Sequence, residues 1–91
     1  MSETAEARLK RLKIRSWRRG IKEMDLILGG WSDRYLASLP DADVALYDAL
    51  LGENDHDLYQ WVTGQSAPPD RFAALLRRIA DETPPAATGG N

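Results

Sequence analysis

The sequence predicts an all-α fold, a compact bundle of about five short helices. Three observations predict it. Apolar residues return at intervals of three and four in five successive segments, the spacing that lines one face of a helix. Residues that stop a helix (Gly20, Gly52, Gly64, Thr83-Pro84-Pro85) or start one (Pro40-Asp41, Asn54-Asp55, Pro68-Pro69-Asp70) stand between those segments. No segment alternates apolar and polar residues with the β-branched enrichment of a strand.

The first helix is expected over residues 2–19. Ser2 and Thr4 are candidate N-caps, Glu3 and Glu6 suit the positive end of the helix dipole, and Arg15, Arg18 and Arg19 suit the negative end. Ala5, Leu9, Leu12 and Ser16 form one narrow buried stripe, with Trp17 at its edge. Gly20 stands where a helix often ends. A second helix starts near Ile21 and shows an apolar face of Ile21, Met24, Leu28, Trp31 and Tyr35. Gly29-Gly30 interrupts it, at about 2 kcal/mol of helix propensity relative to alanine. A kink or break is expected there, with a short piece from Ser32 to Leu36. The third helix opens at Pro40-Asp41 and buries Val44, Tyr47, Leu50 and Leu51. The fourth is capped by Asn54 or Asp55, carries Leu58, Trp61 and Val62, and stops at Gly64. The fifth follows Pro68-Pro69-Asp70 and turns Phe72, Leu75, Leu76 and Ile79 inward. Residues 84–91 have nothing to bury and are expected to form a flexible tail on a single domain of residues 1–83.

Ninety-one residues hold one modest core, and 43% hydrophobic with 29% charged residues is ordinary for a soluble globular chain. The absence of cysteine excludes disulfides, thiol nucleophiles and cysteine metal sites. No apolar run approaches the roughly 20 residues of a membrane span. Net charge is −2 but unevenly placed: residues 1–22 hold eight basic and two acidic residues, and residues 23–91 hold four basic and twelve acidic. That split places a basic face beside an acidic body, either for recognition or as two solvated helix faces.

Enzyme chemistry finds little support. His56 is the only histidine. It lies in Asn54-Asp55-His56-Asp57, where the acids serve helix capping better than metal binding. Glu23 and Asp25 are two positions apart, so on a helix they point in different directions and make no acid/base pair. Gly29-Gly30 lacks the lysine and strand of a phosphate loop. A nucleic-acid-binding reading has the basic run from Arg8 to Lys22 in its favour. Against it stand the pI of about 5.3 and the acids that follow. A toxin–antitoxin or cytoskeletal interaction module remains another possible user of the same face.

Two stretches resemble one family. Arg19-Gly20-Ile21-Lys22-Glu23 is similar to the Arg-Gly-x-x-Glu signature of the succinate dehydrogenase assembly factors that promote covalent flavin attachment, and Asp25 is similar to its bacterial form. Leu50-Leu51 with Asp55-His56-Asp57-Leu58-Tyr59-Gln60-Trp61 resembles the same family's second segment. A proline turn at Ala67-Pro68-Pro69 leads into an amphipathic last helix, as in that family. The resemblance covers roughly residues 8–80.

It implies a small five-helix protein without catalytic residues. Such a protein binds the flavoprotein subunit of succinate dehydrogenase, and often of fumarate reductase, so that FAD becomes linked to a histidine of that subunit. FAD belongs to the client, no cofactor is held stably, and the factor is expected to be monomeric when free. The partner-binding residues are expected to be Trp17, Arg18, Arg19, Gly20, Glu23 and Asp25. Arg19 suits a carboxylate or carbonyls of the client, while Glu23 suits a basic group of the client or holds Arg19 across the turn. Trp17 is the best aromatic anchor. The N-terminus shows no secretory apolar core. It is basic enough to pass for a mitochondrial presequence, but Glu3 and Glu6 count against that. The signature begins by residue 19, without the long targeting segment of eukaryotic members, so a bacterial cytoplasmic protein is expected.

Overall fold

Thr4 starts the first helix: its side-chain oxygen accepts the Ala7 amide at 3.0 Å, satisfying one of the donors that every helix start leaves free. The computed structural model describes residues 3–82, so the candidate cap Ser2 and the expected tail at 84–91 lie outside the described residues. Five α-helices follow in order: α1 (Ala5–Trp17), α2 (Lys22–Tyr35), α3 (Asp41–Leu50), α4 (Asp55–Thr63) and α5 (Asp70–Glu82). A 3-10 turn, Leu36–Ser38, links α2 to α3. The all-α architecture agrees with the periodicity.

The helices close around Leu12, Met24, Leu28, Trp31, Leu36, Tyr47, Leu50, Leu58, Phe72, Leu76 and Ile79, all buried. Every apolar residue expected to face inward on α3 and α5 does so. One polar knot ties three helices inside this core. Ser16 Oγ donates to the Leu12 carbonyl at 2.7 Å. Tyr47 Oη lies 2.6 Å from Ser16 Oγ and 3.3 Å from the Leu28 carbonyl oxygen. Burial pushes the Tyr47 phenol well above its usual range, so it stays a neutral hydrogen-bonding group.

Three expectations need correction: Ala5, expected in the buried stripe of α1, is exposed at the first residue of that helix. α1 ends at Trp17 rather than at residue 19, because the Arg19 amide leaves the helical ladder and donates to the Asp25 carboxylate at 2.5 Å. α2 runs unbroken through Gly29-Gly30 and absorbs the separate piece expected from Ser32. The reason lies in packing. A Cβ at Gly29 would come 2.2 Å from Cδ2 of the Trp17 indole, whereas one at Gly30 meets nothing within 4 Å. Gly29 is the floor on which the indole rests, and its low helix propensity is offset by that contact.

The two glycines therefore predict opposite responses. Gly30→Ala gains up to about 1 kcal/mol of helix propensity. Gly29→Ala gains the same but displaces the indole, an overpacking cost of about 1–3 kcal/mol, and is expected to lose stability on balance. Thermal melts of the two variants decide: a rise in Tm for both would remove Trp17 from Gly29.

Candidate functional site

The turn between α1 and α2 is built from residues 18–21, and its shape is imposed by the rest of the chain. Gly20 has φ +99°, a conformation that side-chain-bearing residues rarely adopt. Asp25, one turn into α2, receives the Arg19 amide. The Arg19 side chain reaches across to the segment between α3 and α4. Its Nε donates to Asp55 Oδ1 at 2.7 Å, Nη1 to the Leu51 carbonyl at 2.5 Å and Nη2 to the Glu53 carbonyl at 2.9 Å. The Arg19 and Asp55 side chains are only 10% and 20% exposed. The rigid planar fork of arginine suits this task, since one carboxylate and two carbonyls are bound at once.

This geometry gives two of the expected contact residues partners within the fold. Arg19 was expected to offer its guanidinium to a client or to be held by Glu23. Three of its five N–H donors are instead engaged within the chain, and Asp55 is the carboxylate that holds it. Asp25 was expected at the binding surface; it is half-buried and fixes the turn from behind. Arg18, Gly20 and Glu23 stay exposed on the turn and the start of α2. Trp17 is part pillar and part surface: its indole packs on Gly29, its Nε1 donates to Asp33 Oδ2 at 3.2 Å, and 39% of the residue remains exposed. Sequence reasoning missed Asp55 and Asp33 as partners. A signal for Asp55 was present, since it lies in the second of the two stretches that carried the resemblance, and the structure joins those stretches through Arg19.

The uneven charge is largely resolved within the fold. Arg8 pairs with Asp41, Arg11 with Glu3 and Asp48, and Arg15 with Asp48 and the Leu51 carbonyl. The hydrogen bonds from Arg11 hold the Glu3 and Asp48 carboxyls below their usual range, and those acids raise Arg11 in turn. A continuous phosphate-binding strip from Arg8 to Lys22 is therefore interrupted, because its three arginines on the α3 side already hold acids. Near His56, Asn54 Oδ1 accepts the His56 amide at 2.8 Å and caps α4. Among the described residues no group of three or more acids or histidines is placed to hold a metal, and no helix is long and apolar enough to cross a membrane.

Residues 10–83 match the family described as flavinator of succinate dehydrogenase. The mitochondrial succinate dehydrogenase assembly factor 2 of Candida glabrata is 36% identical over 86 residues, covering 89% of this chain and 56% of its own. The Saccharomyces cerevisiae protein of that name is 37% identical over 85 residues, covering 88% and 52%. That of Meyerozyma guilliermondii is 44% identical over 61 residues, covering 67% and 45%. The chain thus spans about half the length of the curated relatives it matches. The expected bacterial cytoplasmic location is overturned by these matches, since the relatives are named as mitochondrial proteins and come from eukaryotes. The signature's position near the start of this chain was a poor guide, because where a chain begins says little about what its relatives carry.

Proposed function

This chain belongs to the family described as flavinator of succinate dehydrogenase, and we propose that it is a non-enzymatic assembly factor that binds the flavoprotein subunit of succinate dehydrogenase. Binding promotes covalent attachment of FAD to a histidine of that subunit, and a fumarate reductase flavoprotein is a second client. The FAD and the reacting groups belong to the client; the factor acts as a monomer and holds the client in a reactive arrangement.

The observation that carries this reading is the braced turn. Arg19, Asp25 and Asp55 fix residues 18–21 before any partner arrives. A preformed turn loses less conformational freedom on binding, which leaves more of the contact energy as affinity. Gly20 has no side chain to hold the client's backbone away, and Glu23 presents a carboxylate with no side-chain partner among the described residues. A client N–H or basic group would satisfy it, through the stronger charge-assisted kind of hydrogen bond.

Tagged protein isolated from its own cells should bring down a flavoprotein of the succinate dehydrogenase type. Capture of nucleic acid instead would transfer the site to the nucleic-acid reading. Glu23→Ala is expected to reduce covalent flavin on the client several-fold, with helicity unchanged by circular dichroism. Full flavin fluorescence of the client in denaturing gels would take Glu23 out of the site.

A further inference from the structure

Ile14, Trp17 and Leu26 are the large hydrophobic residues that stand exposed among the described residues, at 50%, 39% and 39%. They gather on one face. Lys10, Ile14 and Trp17 follow at four and three along α1, and Lys22, Leu26, Gly30 and Asp33 follow at similar intervals along α2. The Trp17 indole joins the two rows, resting on Gly29 and bonding to Asp33.

Charge divides the same way. Arg8, Arg11 and Arg15, on the α3 side of α1, are paired with acids. Lys10, Lys13, Arg18 and Lys22, around the exposed apolar residues, have no side-chain partner among the described residues. Lys22 is the first residue of α2, where the helix dipole disfavours a cation. Helix stability gives no reason for a lysine there.

We propose that this α1–α2 face docks an acidic, apolar-bearing segment of the client flavoprotein, with Trp17 and Leu26 as apolar anchors and Lys10, Lys13 and Lys22 matching its carboxylates. The proposal rests on the assembly-factor reading and extends it: the face is continuous with the Gly20 turn through Arg18 and Lys22, and it adds a second contact that sets affinity and orientation. Glu6, Glu23 and Asp33 stand among the cations. They interrupt the positive charge, which favours a protein segment carrying acids at a few matching positions over a uniformly anionic lipid surface.

The test is titration of the purified flavoprotein subunit, at low and high salt, with the wild-type chain, Leu26→Ser and Lys10→Glu/Lys22→Glu. Truncating an apolar anchor should weaken binding roughly tenfold or more. The charge reversal should weaken it comparably and flatten its salt dependence. Lys22→Glu suits the helix dipole better than lysine, and a wild-type Tm for the charge variant shows that its affinity loss does not come from lost stability. Wild-type binding with unchanged affinity in both variants overturns this inference and leaves the assembly function standing. Failure of the wild-type chain to bind the subunit overturns both. Phosphatidylcholine–phosphatidylserine vesicles serve as the second probe: binding lost in the charge variant, with client affinity unchanged, would assign the face to a membrane and overturn the protein-segment reading.

Discussion

Arg19→Ala is expected to destabilise the fold by about 3 kcal/mol, the upper end of the cost of leaving part-buried hydrogen-bonding groups without a partner. For a chain of this size that is a fall in Tm of roughly 12–24 °C. The substitution leaves the Asp55 carboxylate, 20% exposed, without its counter-charge. It also strips the Glu53 carbonyl of its donor and leaves the Leu51 carbonyl with Arg15 alone. Arg19→Lys keeps the charge but replaces a planar fork with a point donor, so an intermediate loss is expected. In the double variant Arg19→Ala/Asp55→Asn the unpaired, part-buried charge is gone as well, and the combined loss should be smaller than the sum of the single losses. A wild-type Tm for Arg19→Ala, together with lost client binding, would return Arg19 to direct contact with the client.

Gly20→Arg is expected to abolish covalent flavinylation of the client while leaving most of the helicity. Two effects act at once. The backbone at Gly20, with φ +99°, strains any side-chain-bearing residue. The guanidinium would also project from the exposed turn into the space a client backbone must occupy. Gly20→Ala separates them, since its Cβ would meet Asp55 Oδ2 only at an ordinary 3.7 Å. The alanine variant should carry the strain alone and retain part of the activity. Equal and complete loss in both would mean that turn conformation, not access, is what Gly20 secures.

How much of this was legible in the sequence follows the range of each interaction. The buried face of α3, from Val44 to Leu51, and that of α5, from Phe72 to Ile79, are set by periodicity within one helix, and both were readable. Caps are local too: Thr4 and Asn54 were candidates, and each accepts an amide in the structure. Gly29 was misread because helix propensity sees only a weak helix former, while its purpose is an indole twelve positions earlier in the chain. Arg19 was half-read. Its place in the turn was evident, but its partner Asp55 lies thirty-six residues on, and no local rule connects them. The basic first helix was likewise visible as charge, whereas its pairing with Asp41 and Asp48 of α3 required the fold.

The central claim is that this chain promotes covalent flavin attachment without reacting itself. The direct measurement combines purified flavoprotein subunit lacking covalent flavin with FAD, in the presence and absence of the purified chain. Covalent flavin is then followed by fluorescence in denaturing gels. The account predicts that the fluorescent band grows faster with the chain present, slows with Glu23→Ala, and stays confined to the subunit. The same rate with and without the chain, or flavin bound covalently to the chain itself, would contradict it.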